Sequence, residues 1–122
     1  MLHFQLEAKE KIPIKQFSKM SLVDIMDDDR PFVIFVDNKI FFDDIYFPIR
    51  EFIKYALTWL NNTNKDFIYN TIDNYENPLI AFLKEKDGWK MHSIWQTFGC
   101  DKVFSFEEVR DFINQIIFHV LE

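Results

Sequence analysis

PFVIFVDNKIFFDDIYFPIREFIKYALTWL, residues 31–60, contains both periodicities on which the fold depends. Phe32 to Val36 is a continuous apolar run, Asp37, Asn38 and Lys39 are turn-like, and Ile40 to Phe47 is a second β-rich run. Together they predict a hairpin whose strands are covered on both faces. The turn lacks glycine, which leaves its type open. At Pro48 the period changes. Proline suits the first helical position, and Ile49, Phe52, Ile53, Ala56, Leu57 and Leu60 then form one apolar stripe. Asn61, Asn62, Thr63 and Asn64 stop this helix, which the pattern places at 48–61.

Upstream, Leu2, Phe4, Leu6 and Ala8 alternate with His3, Gln5 and Glu7, the period of a strand with one buried face. Residues 11–17 either pair with it or form an irregular connection, and Pro13 favours an edge. Ser21 caps a short helix over Leu22 to Met26, which Asp27, Asp28, Asp29, Arg30 and Pro31 end. Downstream, Phe67 to Ile72 is a strand, Asp73 to Asn77 a loop and Pro78 to Lys84 a further strand. Asp87 and Gly88 read as a type I′ hairpin turn. The next strand sets Trp89, Met91, Ser93 and Trp95 on one face. Ser105 and Glu108 spell a capping box for a last helix at 105–121, whose stripe is Val109, Phe112, Ile113, Ile116, Ile117 and Val120. The expected fold class is α+β: a single domain over 1–122, with one antiparallel sheet of about five to seven strands and two main helices on one of its faces.

A chain of 122 residues fits one such domain. Two glycines and four prolines exclude collagen-like and linker-like readings. Cys100 is the only cysteine, which excludes an internal disulfide framework and a cysteine-cluster zinc site. No apolar run approaches the roughly 18 residues of a membrane span. Charges interrupt the opening MLHFQLEAKE where a signal peptide needs an apolar stretch, so a cytoplasmic address is expected. The net charge of −6 is uneven: residues 1–20 carry +2, residues 21–82 carry −6 and residues 83–122 carry −2. An acidic middle repels phosphate backbones and attracts basic proteins, so no nucleic-acid partner is expected.

Catalytic signatures are absent from the sequence. It has no Gly-rich phosphate loop, nucleophile elbow or zinc-protease motif. His3, His92 and His119 fall on three separate elements. Cys100 has Asp101 and Lys102 beside it, which pull its pKa in opposite directions. The expectation is a non-enzyme, with no catalytic residue, cofactor or metal assigned. Asp27, Asp28 and Asp29 have hard-cation chemistry, but three consecutive carboxylates converge on an ion only if a loop bends around it. Placed at a helix C-terminus they oppose the dipole, which points to another use for the charge. Asp43 and Asp44 interrupt an apolar strand, either as an acid–base pair or at a bulge with both carboxylates in water. Tyr75 stands between Asp73 and Glu76 in a loop. An aromatic beside carboxylates fits a surface for a basic partner.

The block at 31–60 and the later NPLIAFLKEKDGWKMHSIW, residues 77–95, give the chain a pattern that resembles the small acidic immunity proteins of bacterial polymorphic-toxin systems, including those of contact-dependent growth inhibition. The resemblance implies a cytoplasmic inhibitor that binds a cognate toxin domain, such as a nuclease, and covers its active surface. Asp27, Asp28, Asp29, Asp43, Asp44, Asp73 and Glu76 would supply the attracting field, and Tyr75 an anchor. The chain would act as a monomer or weak homodimer, away from nucleic acid and membrane. The alternative is a small ligand-binding or enzymatic domain with a pocket between sheet and helices, lined by Asp43, Asp44, His92 and Trp95. A third reading is an oligomerisation domain that pairs through exposed aromatics.

Overall fold

The computed structural model describes residues 1–73 and 76–122. The class is α+β, and the described residues form seven strands in two antiparallel sheets, with four helices. The first sheet holds β1 (Leu2–Leu6), β2 (Asp29–Val36) and β3 (Lys39–Pro48) in the order β1-β2-β3. The second holds β4 (Phe67–Tyr69), β5 (Ile80–Glu85), β6 (Gly88–His92) and β7 (Val103–Phe104) in chain order. The single expected sheet is thereby corrected. β3 runs straight into α3 (Ile49–Leu60), and β4, which follows that helix, pairs only with β5. Nor do the helices share one face of one sheet. α4 (Phe106–Val120) touches β1, β6 and α3, so it is packed between the sheets.

Asp37 and Asn38 have φ of 50° and 69°, so the β2–β3 hairpin closes in a type I′ turn without glycine. Lys102 and the N-terminal amine both donate to Asp37, and these hydrogen bonds hold its carboxyl at about 2. In β2 burial alternates, with Arg30, Phe32, Ile34 and Val36 inside. Its other face is partly open, contrary to the expectation of two covered faces. In β3 the alternation breaks, because the register with β2 shifts between Arg30 and Phe32 and again between Ile34 and Phe35. Phe41 and Phe42 are therefore both buried, while Ile45 and Tyr46 are exposed.

The second hairpin does not use the expected Asp87–Gly88 turn. Glu85 pairs with Gly88, so Lys86 and Asp87 form the turn, and neither has a positive φ. Gly88 opens β6 at φ +148°, and a Cβ there would stand 2.5 Å from the Phe104 carbonyl oxygen. Glycine is required because β7 passes so close. Residues 11–17 do not pair with β1 as a strand. Ile12 instead bridges Leu121, and α1 (Ile14–Ser18) tucks Phe17 into the core.

The aromatic excess is spent at the seam between the sheets. Phe32 meets Phe47 at 4.7 Å between ring centres, and Phe47 meets Phe52 of α3 at 5.7 Å and Tyr69 of β4 at 5.8 Å. On the far side Phe4 of β1 and Phe82 of β5 both pack on Phe112 of α4. Such tilted and edge-on pairs add about 0.5–1.5 kcal/mol each beyond the area they bury. All six residues of the expected α4 stripe are buried. Ser105 accepts from the Glu108 amide as its cap, but the Glu108 side chain accepts from the Leu2 amide and not from Ser105, which ties β1 to the helix.

Candidate functional site

Two neighbouring polar regions and one groove organise the face formed by α2 (Leu22–Ile25), the start of β2 and the first turns of α3. Ser21 caps α2 as expected, accepting from the Asp24 amide at 3.2 Å. The chain then enters β2 at Asp29, and the three aspartates at this junction turn to different sides. Asp27 and Asp29 are exposed. Asp28 is 3% exposed, and Arg30, two residues on and on the same side, is 1% exposed. They form a bidentate pair, Arg30 Nε to Asp28 Oδ1 at 3.0 Å and Arg30 Nη2 to Oδ2 at 2.9 Å. Arg30 Nη1 also donates to the Glu7 carbonyl at 3.1 Å.

Lys9 donates to Asp28 Oδ1 at 3.3 Å, and Arg50 Nε lies 3.1 Å from Oδ2, an ion pair without a well-directed hydrogen bond. Burial pushes the Asp28 carboxyl up, but the bonds and charges of Arg30, Lys9 and Arg50 outweigh it and lower its pKa. Asp28 is therefore withdrawn from the expected partner-binding set. Its charge neutralises internal cations and is closed to a docking molecule. The carboxylate set against the helix dipole is used inside the chain.

Asp29 has the opposite environment. Partial burial and then the charges of Asp73, Asp44, Asp28 and Asp27 push its carboxyl up. Three chain segments far apart in sequence thus bring carboxylates within electrostatic reach of Asp29. Asp44 lies in the shifted register of β3, where its Oδ1 accepts from the Tyr46 amide at 2.9 Å. Asp43 faces solvent opposite Val33. Glu76 is exposed and accepts from Trp95 Nε1. Tyr75 lies outside the described residues. Among those that are described, no group of three or more His, Cys, Asp or Glu side chains is placed to hold a metal ion.

The groove, of about 510 Å3, adjoins this acidic face, since Ile72 lines it and Asp73 follows. Glu51, Tyr55 and Trp59 of α3 form one wall, facing Leu22 of α2 together with Ile68 and Ile72. Glu51 is 4% exposed, and its Oε1 accepts from the Tyr69 hydroxyl at 2.6 Å while Oε2 accepts from the Ile72 amide at 3.3 Å. Burial and the Glu51 charge push the Tyr69 hydroxyl far above its ordinary value. The pocket expected from Asp43, Asp44, His92 and Trp95 does not form. Asp43 and His92 are on outward positions, and Trp95 lies beyond β6, bonded to Glu76. Glu51, Tyr55 and Trp59 lie outside the apolar stripe that the sequence displays on α3 and form a second row beside it. Their spacing of four residues is the signal, since it aligns side chains along one flank of a helix.

His119 Nε2 lies 3.1 Å from the Leu6 carbonyl oxygen and its ring packs edge-on against Phe4. His3 stacks on Phe35 at 5.1 Å. Both histidines serve packing. No helix among the described residues is long and apolar enough to cross a membrane. No curated protein and no solved structure matches the chain. One family model matches residues 2–120, which is nearly the whole sequence, and the chain therefore belongs to the family described as "Domain of unknown function (DUF7878)".

Proposed function

We propose that this protein is a binding module of the immunity type, which uses an acidic face to dock and neutralise a basic toxin domain. The observation that carries the reading is the placement of Asp27, Asp44 and Asp73 around the Asp29 carboxyl, whose pKa partial burial and then these charges raise. Carboxylates crowded against their mutual repulsion maintain a strong negative potential, which speeds association with a basic surface and is screened by salt. Exposed Ile45, Tyr46 and Ile72 lie in the same segments and offer apolar contact area beside the charge. Asp43 and Glu76 are exposed as well.

The test compares capture of a partner by the native protein and by a variant carrying Asp27→Lys, Asp29→Lys, Asp44→Lys and Asp73→Lys. A basic protein held at low salt by the native chain alone is expected. Expressed by itself, that protein should arrest growth, and co-expression of the native chain but not the variant should restore it. Equal capture by the variant would remove the acidic face from the reading. A captured protein harmless to cells would remove the inhibitor role.

A further inference from the structure

The groove beside α3 has a property that the acidic face does not require. Its volume, about 510 Å3, falls in the range of roughly 300–1,000 Å3 typical of small-ligand sites. Glu51 lines it as a deeply buried carboxylate whose two oxygens accept one hydrogen bond each. A carboxylate offers about four acceptor positions, so capacity is left over. None of the ion pairs among the described residues involves Glu51. Lys54 and Lys65 line the rim, but both are exposed and neither pairs with it. Buried carboxylates are ordinarily matched by a cation, because the desolvation cost is otherwise uncompensated. The walls suit one. Trp59 is fixed by its Nε1 donating to the Lys65 carbonyl at 2.8 Å, and Tyr55 packs on Tyr69 at 5.1 Å between ring centres. Aromatic walls beside a carboxylate recognise a positive charge carried on an apolar body.

We infer that this groove is a binding site for a small organic cation, an ammonium or guanidinium group on an apolar body of aromatic size. The charged head meets Glu51, and the body lies against Tyr55 and Ile68. Glu51 supplies the charge preference, and the volume limits the size. The inference stands apart from the toxin-binding reading, since it concerns a small molecule and rests on Glu51, Tyr55 and Ile68, which the acidic face does not use.

The test is an NMR titration of the full chain with 2-phenylethylammonium, phenylguanidinium and the neutral 2-phenylethanol. At least one cation should bind about tenfold or more tightly than the alcohol, as a hydrogen bond to a charged group exceeds a neutral one. Glu51→Gln should bring the affinity for that cation down to that of the alcohol. Because this change also weakens the bond from the Tyr69 hydroxyl, a second variant is needed. Thr58→Trp adds bulk at an exposed position of the groove wall and leaves Glu51 in place. It should abolish binding of both probe types while the urea midpoint stays unchanged. Equal affinity for cations and alcohol, no binding of any probe, or binding that survives Thr58→Trp would each overturn the assignment.

Discussion

Asp28 and Asp29 are consecutive, yet the regions they serve have opposite physics. Around Asp28 one buried carboxylate meets Arg30, Arg50 and Lys9, and its pKa falls. Around Asp29 partial burial, and then the charges of neighbouring carboxylates, make its pKa rise. Asp29 opens β2 and its side chain faces outward, whereas Asp28, one residue before the strand, turns inward to the Arg30 guanidinium. A run of like residues in sequence therefore need not be a run of like function. The inward carboxylate organises the junction of the β1–α1 connection, β2 and α3. The outward one lies where partial burial and neighbouring carboxylates raise its pKa, and it is the side on which the proposed function relies.

The largest effect should come from breaking the inward region. Asp28→Ala leaves Arg30 buried without its counter-charge, and removal of one partner from such a pair costs about 3–5 kcal/mol. Urea denaturation would read this as a large loss of midpoint. Lys9→Ala touches the same carboxylate from a side chain that is 45% exposed, so its loss should stay below about 1 kcal/mol. Comparable losses from the two variants would mean that Asp28 is not held by the buried arginine.

The pH dependence of stability should carry both signs. Asp28 binds its proton less readily when folded, so its contribution is complete above the ordinary value of 3.8 and is lost as pH falls below it. Asp37, lowered to about 2 at the surface, adds to that acid limb. Asp29 binds its proton more readily when folded, so stability should rise slightly as pH falls through its raised pKa towards 3.8. Urea midpoints from about pH 7 to about pH 2 should thus pass through a shallow maximum before falling. A monotonic decline would show that the carboxylates around Asp29 do not repel as described.

The smallest effect sharpens the outward half. Asp29→Asn relieves repulsion at a solvated position, where screening keeps the gain to about 0.5 kcal/mol or less. The same substitution should remove the shallow maximum. A loss of stability in its place would mean that Asp29 has a structural partner.

Much of this architecture was legible beforehand because it is local. The α4 stripe, the Ser21 and Ser105 caps and the β2–β3 hairpin rest on spacing within a few residues, and each lies where the pattern put it. The β7 strand was not legible, since two residues carry no period and exist as a strand only through β6. Nor was the inward turn of Asp28, which lies just before β2, a strand that starts three residues ahead of its apolar run. The groove residues had a faint trace in the spacing of Glu51, Tyr55 and Trp59, but the facing wall comes from segments separated by more than a helix.

The sequence by itself determined most of the elements, the α+β class and the excess of negative charge in the middle of the chain. Tertiary structure alone decided that seven strands divide into two sheets, which carboxylates meet, and which one is hidden. The reason is range. Periodicity, caps and turns are set by neighbours along the chain, whereas the surroundings of a charge are set by segments that approach only when the aromatic seam closes.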